Sequence, residues 1–180
     1  MTQSKQALER SPSVVSMTTE VDSVVSSGLA TMLQTVCETM GWDYGEAWAA
    51  IDEKTLKLSS ICHIQVGLSC DRKIDWEHFH ACSQEFVLHS GEGLPGRVWA
   101  TQAPEWMVDV SAESESYFLR HQIAKAFGVK AGLGLPTKME ELEVVLVFFR
   151  SEACAVDEQH IQQAVICVAP VQSPSDLTAA

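Results

Sequence analysis

The sequence predicts an α+β domain in which a central antiparallel sheet carries the terminal helices on one face and an irregular covering segment on the other. Three observations lead there. Apolar residues recur at helical spacing near both ends, two pairs of strand-like segments each close on a polar turn, and a stretch rich in glycine and proline lies between the pairs. A chain of 180 residues with 46% hydrophobic and 20% charged residues has enough apolar surface for one substantial core.

Each element follows from its pattern. Val21, Val24, Val25, Leu29, Met32, Leu33 and Val36 recur three and four apart, and Gly41 is a natural stop, so a helix is expected over 18–40. In Asp43 to Asp52 the period changes to two. Gly45, Ala47 and Ala49 form a small-residue face against which a helix can lie close, and Tyr44, Glu46 and Trp48 form a bulky one. After a turn at Asp52 to Lys54, Thr55 to Gln65 gives the second strand of a hairpin. Trp76, Phe79, Cys82, Ser83 and Phe86 share a helical face over 76–86. Gly93 to Thr101 is expected as a short helix, with Pro95 tolerated in its first turn.

Glu105 to Val110 is a brief strand, and Ser114 to Phe127 a helix introduced by serines and acids and closed by Gly128. Two apolar runs around a polar turn at Lys138 to Glu140 form a hairpin buried on both faces. Asp157 caps a last helix in which Ile161, Val165 and Val168 repeat. Residues 1–17 and 172–180 are polar and are expected to be mobile tails around a domain at 18–171.

Composition excludes several functions. A formal net charge of −12 with no Lys/Arg cluster repels a phosphate backbone, so no direct contact with nucleic acid is expected. No apolar run is long enough to span a bilayer, and Met1 to Ser16 has no apolar signal region, so a membrane partner is not expected. The six scattered cysteines then read as reduced thiols of a cytoplasmic or nuclear protein. No phosphate loop, nucleophile elbow or zinc-protease motif is present, and no cofactor or enzymatic activity is expected. Cys62, His63, Cys70, His78, His80 and Cys82 lack a C-x2-C knuckle, and packing or solvation explains them without a metal.

The segments Gly93-Leu94-Pro95-Gly96-Arg97-Val98, Pro104-Glu105-Trp106 and Asp109-Val110 resemble the GLPGRV and PEW-x-x-DV signature in the N-terminal GAF-like region of plant NIN-like (RWP-RK) regulators. The likeness continues through Phe118, Arg120, Ala124, Val129 and Leu133 to Leu135-Pro136 and covers about Trp42 to Pro170. It implies the GAF fold, a small sensory and regulatory module, and some members of that family sense nitrate through this region. Their basic RWP-RK segment is not found in this sequence, so any regulatory output is expected to pass through a protein partner. Phytochrome-type GAF domains attach a bilin to a cysteine on the helix before a Gly-Val strand. The corresponding helix before Gly128-Val129 has no cysteine, and Cys62-His63 lies on a strand instead.

A GAF module can therefore hold a small molecule or an anion. Tyr44, Glu46, Trp48, His63, Trp99, Trp106, Phe118 and His121 are the candidate lining of such a pocket, aromatic walls with a few polar groups. For any one of these aromatics taken alone, packing as plain core is the favoured reading. The expected function is a non-catalytic sensor that binds a small molecule or an anion and signals to a protein partner; the alternative is a ligand-free interaction scaffold using helix 18–40. A homodimer through the terminal helices is compatible with both.

Overall fold

The structure is a computed structural model that describes residues 13–169, with side chains from Ser23 onward. The expected tail at 172–180 and most of the tail at 1–17 lie outside the described residues. Helix α1 spans Ser13–Met40, so it takes in the last part of the expected N-terminal tail. Strands β1 (Tyr44–Ala50) and β2 (Thr55–Ile64) form the first hairpin, and β5 (Gly132–Met139) and β6 (Leu142–Phe149) the second. Between them come α2 (Cys70–Ser83), β3 (Val87–His89), α3 (Gly93–Thr101), β4 (Glu105–Met107) and α4 (His121–Ala126), and α5 (Glu158–Val168) closes the chain.

The strands make one six-stranded sheet in the order β3-β2-β1-β6-β5-β4, every described pair antiparallel. Strand β6 is central, and Val144 to Phe149 are buried whichever face they point to. The sheet separates two cores. On one face Leu29, Leu33, Val36 and Cys37 of α1 and Ile161, Ala164 and Val168 of α5 pack with Ala47, Leu133, Leu146 and Phe148. On the other, Trp76 and Phe79 of α2, Leu94, Val98 and Trp99 of α3, and Phe118 and Ala124 pack with Tyr44, Trp48, Val147 and Phe149. Strand β1 serves both cores. Its small-residue face lets α1 approach so closely that a β-carbon at Gly45 would stand 3.2 Å from the Cys37 sulfur.

Local chemistry explains where the elements depart from expectation. Helix α2 begins at Cys70, earlier than the expected 76, because the Ser69 hydroxyl accepts the Arg72 N–H and caps it there. It stops at Ser83, so Cys82 faces solvent and only Trp76, Phe79 and Ser83 of the expected face are buried. The expected helix over Ser114 to Phe127 is helical only over α4, since the chain turns from Ser114 to Phe118 first. In α5 it is Ala164 that joins Ile161 and Val168 in the core, and Val165 is partly exposed.

The glycines after β3 form a corner that consumes its own backbone groups. Gly91 N–H bonds the Gly96 carbonyl, and Gly96 N–H bonds the Glu92 carbonyl. Gly91 and Gly93 have positive φ, and a β-carbon on Gly96 would collide with the His89 carbonyl oxygen.

Candidate functional site

On the covering face, residues 44, 46 and 48 of β1 point into the layer beneath α2, α3 and α4. Alternation alone sets Tyr44 and Trp48 on either side of Glu46. Both donate to its carboxylate, the Tyr44 hydroxyl to Oε2 at 3.0 Å and the Trp48 indole N–H to Oε1 at 2.8 Å. Arg120, the residue before α4, closes the site with a two-pronged ion pair: Nη2 to Oε1 at 2.6 Å and Nη1 to Oε2 at 3.1 Å. The guanidinium also donates to the Ser83 hydroxyl at the end of α2, at 2.9 Å.

Both partners are sealed. Glu46 is 0% and Arg120 2% exposed. The guanidinium carbon lies 5.0 to 5.5 Å from the ring centres of Trp48, Phe79, Phe149 and Phe118, so aromatic faces contribute to its stabilisation. An unpaired charge here would cost several kcal/mol, of the order of 3–5, so each ion requires the other.

The network has one route outward. The Tyr44 oxygen lies 2.6 Å from His80 Nδ1, and His80 Nε2 lies 3.3 Å from the Gln84 side-chain amide nitrogen. Burial, then the charge of Glu46, pushes the Tyr44 hydroxyl well above its ordinary range, so it stays a donor. Burial also holds His80 below its ordinary value of 6.5, partly opposed by Glu46. A neutral His80 donating from Nδ1 to Tyr44 and accepting at Nε2 from Gln84 satisfies every group in the chain.

The nominated pocket residues divide between the two faces. Tyr44, Trp48, Trp99 and Phe118 share the covering-face core. Trp99 stands at its rim and donates to Glu143 Oε2 at 2.6 Å. His121 begins α4 beside Arg120, with its Nδ1 buried and unpartnered. Trp106 and His63 belong to the other face. Trp106 packs edge-on to Trp42 at 5.2 Å and donates to the Cys154 carbonyl, because the short strand β4 turns that side chain toward α5. His63 pairs across from Gly45, and cross-strand partners share a face, so it lies on the α1 side while Cys62, opposite Glu46, takes the covering side.

Arg120 and Ser83 were not anticipated as site residues. The usable signal was an acid between two aromatics on one strand face, since a carboxylate buried there demands a cation. Among the described residues no cluster of His, Cys, Asp and Glu is placed to hold a metal ion. Clefts of about 530 and 480 Å³ open at the hairpin ends, one beside Ala50, Trp99 and Glu143, the other beside Val25, Leu29 and Met139. No described helix is long and apolar enough to cross a membrane.

A sheet enclosed in this way between terminal helices and a covering layer defines a GAF domain, a regulatory and sensory fold. The GAF domain of a phosphoenolpyruvate-protein phosphotransferase from Coxiella burnetii superposes with a TM-score of 0.55 at 20% identity, covering 86% of this chain and 88% of that one. A free methionine-R-sulfoxide reductase from Neisseria meningitidis superposes with a TM-score of 0.54 at 16% identity, covering 91% and 90%. At such identities the likeness concerns the fold alone. The family is more specific: residues 16–169 match the model of the NLP protein GAF domain, and the chain belongs to that family.

Transcription factor bHLH13 of Arabidopsis thaliana is 34% identical over 78 residues, which is 43% of this chain and 13% of that protein. Protein NLP1 of Oryza sativa subsp. japonica is 31% identical over 84 residues, 45% of this chain and 9% of that protein. The matched stretches are thus small parts of their relatives' lengths.

Proposed function

We propose that this chain is a non-catalytic regulatory module that works through a protein partner, with its covering-face interior occupied by its own side chains. The observation that carries this reading is the sealed Glu46–Arg120 pair inside its ring of aromatics. Groups that would otherwise receive a small molecule already bond one another, which leaves the surface to carry the signal. We assign the partner, a second copy included, to the terminal-helix side, where Val24 of α1 is 62% and Ile166 of α5 67% exposed. The relatives that bear the names of transcription factors support a regulatory role, and a nuclear or cytoplasmic location fits it.

Native mass spectrometry of the protein from its own source tests this, joined to thermal unfolding with nitrate, cyclic nucleotides and a metabolite panel. The reading expects an unmodified polypeptide mass, alone or in a protein complex, and no thermal shift. A stoichiometric small-molecule adduct, or a shift abolished by His121→Ala, supports the ligand sensor instead. The unpartnered Nδ1 of His121 is the observation on that side.

A further inference from the structure

We infer that the cage around Glu46 is a binding site for a small planar carboxylate, and that the chain fills it in cis with the Glu46 side chain. This rests on the reading of a self-occupied interior and says what occupies it. Four donor contacts converge on the two carboxylate oxygens, from Tyr44 Oη, Trp48 Nε1 and both terminal nitrogens of Arg120. Each donor is also held by contacts other than Glu46. Tyr44 is stacked on Trp76 at 5.1 Å, Trp48 is fully buried in the same core, and Arg120 is tied to Ser83 and surrounded by rings. Only the Glu46 Cβ and Cγ link the bound carboxylate to β1.

The carboxylate is thus a ligand on a two-carbon tether, and its covalent attachment gives it an effective concentration that free anions do not match. A GAF interior held this way stays in one liganded state. Its output changes only when a partner acts on it.

The tether can be cut at a defined bond. In Glu46→Ala the alanine keeps Cβ, and free acetate supplies the missing methyl and carboxylate. Thermal unfolding of the full chain is followed by circular dichroism, with sodium acetate exchanged for sodium chloride at constant ionic strength. Glu46→Ala is expected to gain several degrees in Tm by about 0.1 M acetate, the gain rising with the logarithm of concentration above the dissociation constant, because a ligand stabilises the state that binds it. The bulkier trimethylacetate gives no such gain, and Glu46→Ala/Arg120→Met responds to neither. If Glu46→Ala is unfolded in chloride, recovery of the native spectrum in acetate is the same positive result.

A folded Glu46→Ala that ignores acetate overturns the inference. So does one that stays unfolded in both salts while the apolar pair Glu46→Leu/Arg120→Met folds, or an equal response in the Arg120→Met double variant. An acetate shift of the same size in the wild-type chain would instead sink the self-occupied interior itself, so the two failures are distinguishable.

Discussion

Arg120→Met removes the cation and leaves its volume largely filled, which isolates the ion pair. The variant strands a carboxylate that is 0% exposed with only the Tyr44 and Trp48 donors, and frees the Ser83 hydroxyl. Breaking one side of a buried pair costs about 3–5 kcal/mol. In a domain of this size each kcal/mol moves Tm by about 2–4 °C, so a drop of about 6–20 °C is expected. The double variant Glu46→Leu/Arg120→Met removes both charges. Its cost is mainly the orphaned Trp48 N–H, about 1–3 kcal/mol, because the Tyr44 hydroxyl turns to donate to His80 Nδ1 once His80 takes its other tautomer. With Glu46→Leu as the second single variant, urea unfolding followed by tryptophan fluorescence and circular dichroism gives the three free-energy losses. The double variant should be more stable than Arg120→Met alone. A single variant that loses less than about 1 kcal/mol, or a double variant whose loss equals the sum of both singles, refutes the sealed pair.

Other expectations follow from the same geometry. Gly96→Ala places a methyl against the His89 carbonyl and should destabilise by about 1–3 kcal/mol, measurable in urea; a neutral result would mean the corner is looser than described. Gly45→Val presses on Cys37 and Phe148 and should cost a similar amount, about 1–3 kcal/mol, with lost α1 protection in hydrogen exchange as its signature. His80 has a depressed pKa, so below about pH 6.5 the unfolded chain gains a proton that the folded chain resists, and stability falls toward acid. That decline should be smaller in His80→Gln, and parallel pH profiles for the two proteins would contradict the assignment. Cys70 and Cys82 are exposed, whereas burial, then Asp43, pushes the Cys37 thiol strongly up. Iodoacetamide should therefore modify the first two quickly and Cys37 only on unfolding, read by peptide mass spectrometry.

The layered architecture was legible because each face carries its own period. Helical spacing in α1, alternation in β1 and the uninterrupted apolar run of β6 each admit one environment. The site was only half legible. Tyr44, Glu46 and Trp48 were readable as one face from strand geometry, but Arg120 lies far along the chain, and no local pattern says which cation meets Glu46. His63 and Trp106 were misplaced for a different reason. Alternation from Leu56 and Leu58 sets Cys62, not His63, on the covering side, and the two-residue register shift in β2 leaves that unchanged, so His63 was misassigned against its own strand period; β4 is too short to show a period. The missing part of α4 reflects backbone turns closed on the Ser114 and Phe118 carbonyls, which helix-start signals do not distinguish from a cap.

Adjacent residues of β1 do opposite jobs. Glu46 is held in the polar cage, and Gly45, one peptide bond earlier, is the surface on which α1 rests. A shift of the strand large enough to change one contact must change the other, without relay through any intervening side chain. The distance over which the interior and the outer helix communicate is therefore the thickness of a single backbone, and helix displacement by a partner would be felt first as strain on the Glu46 hydrogen bonds.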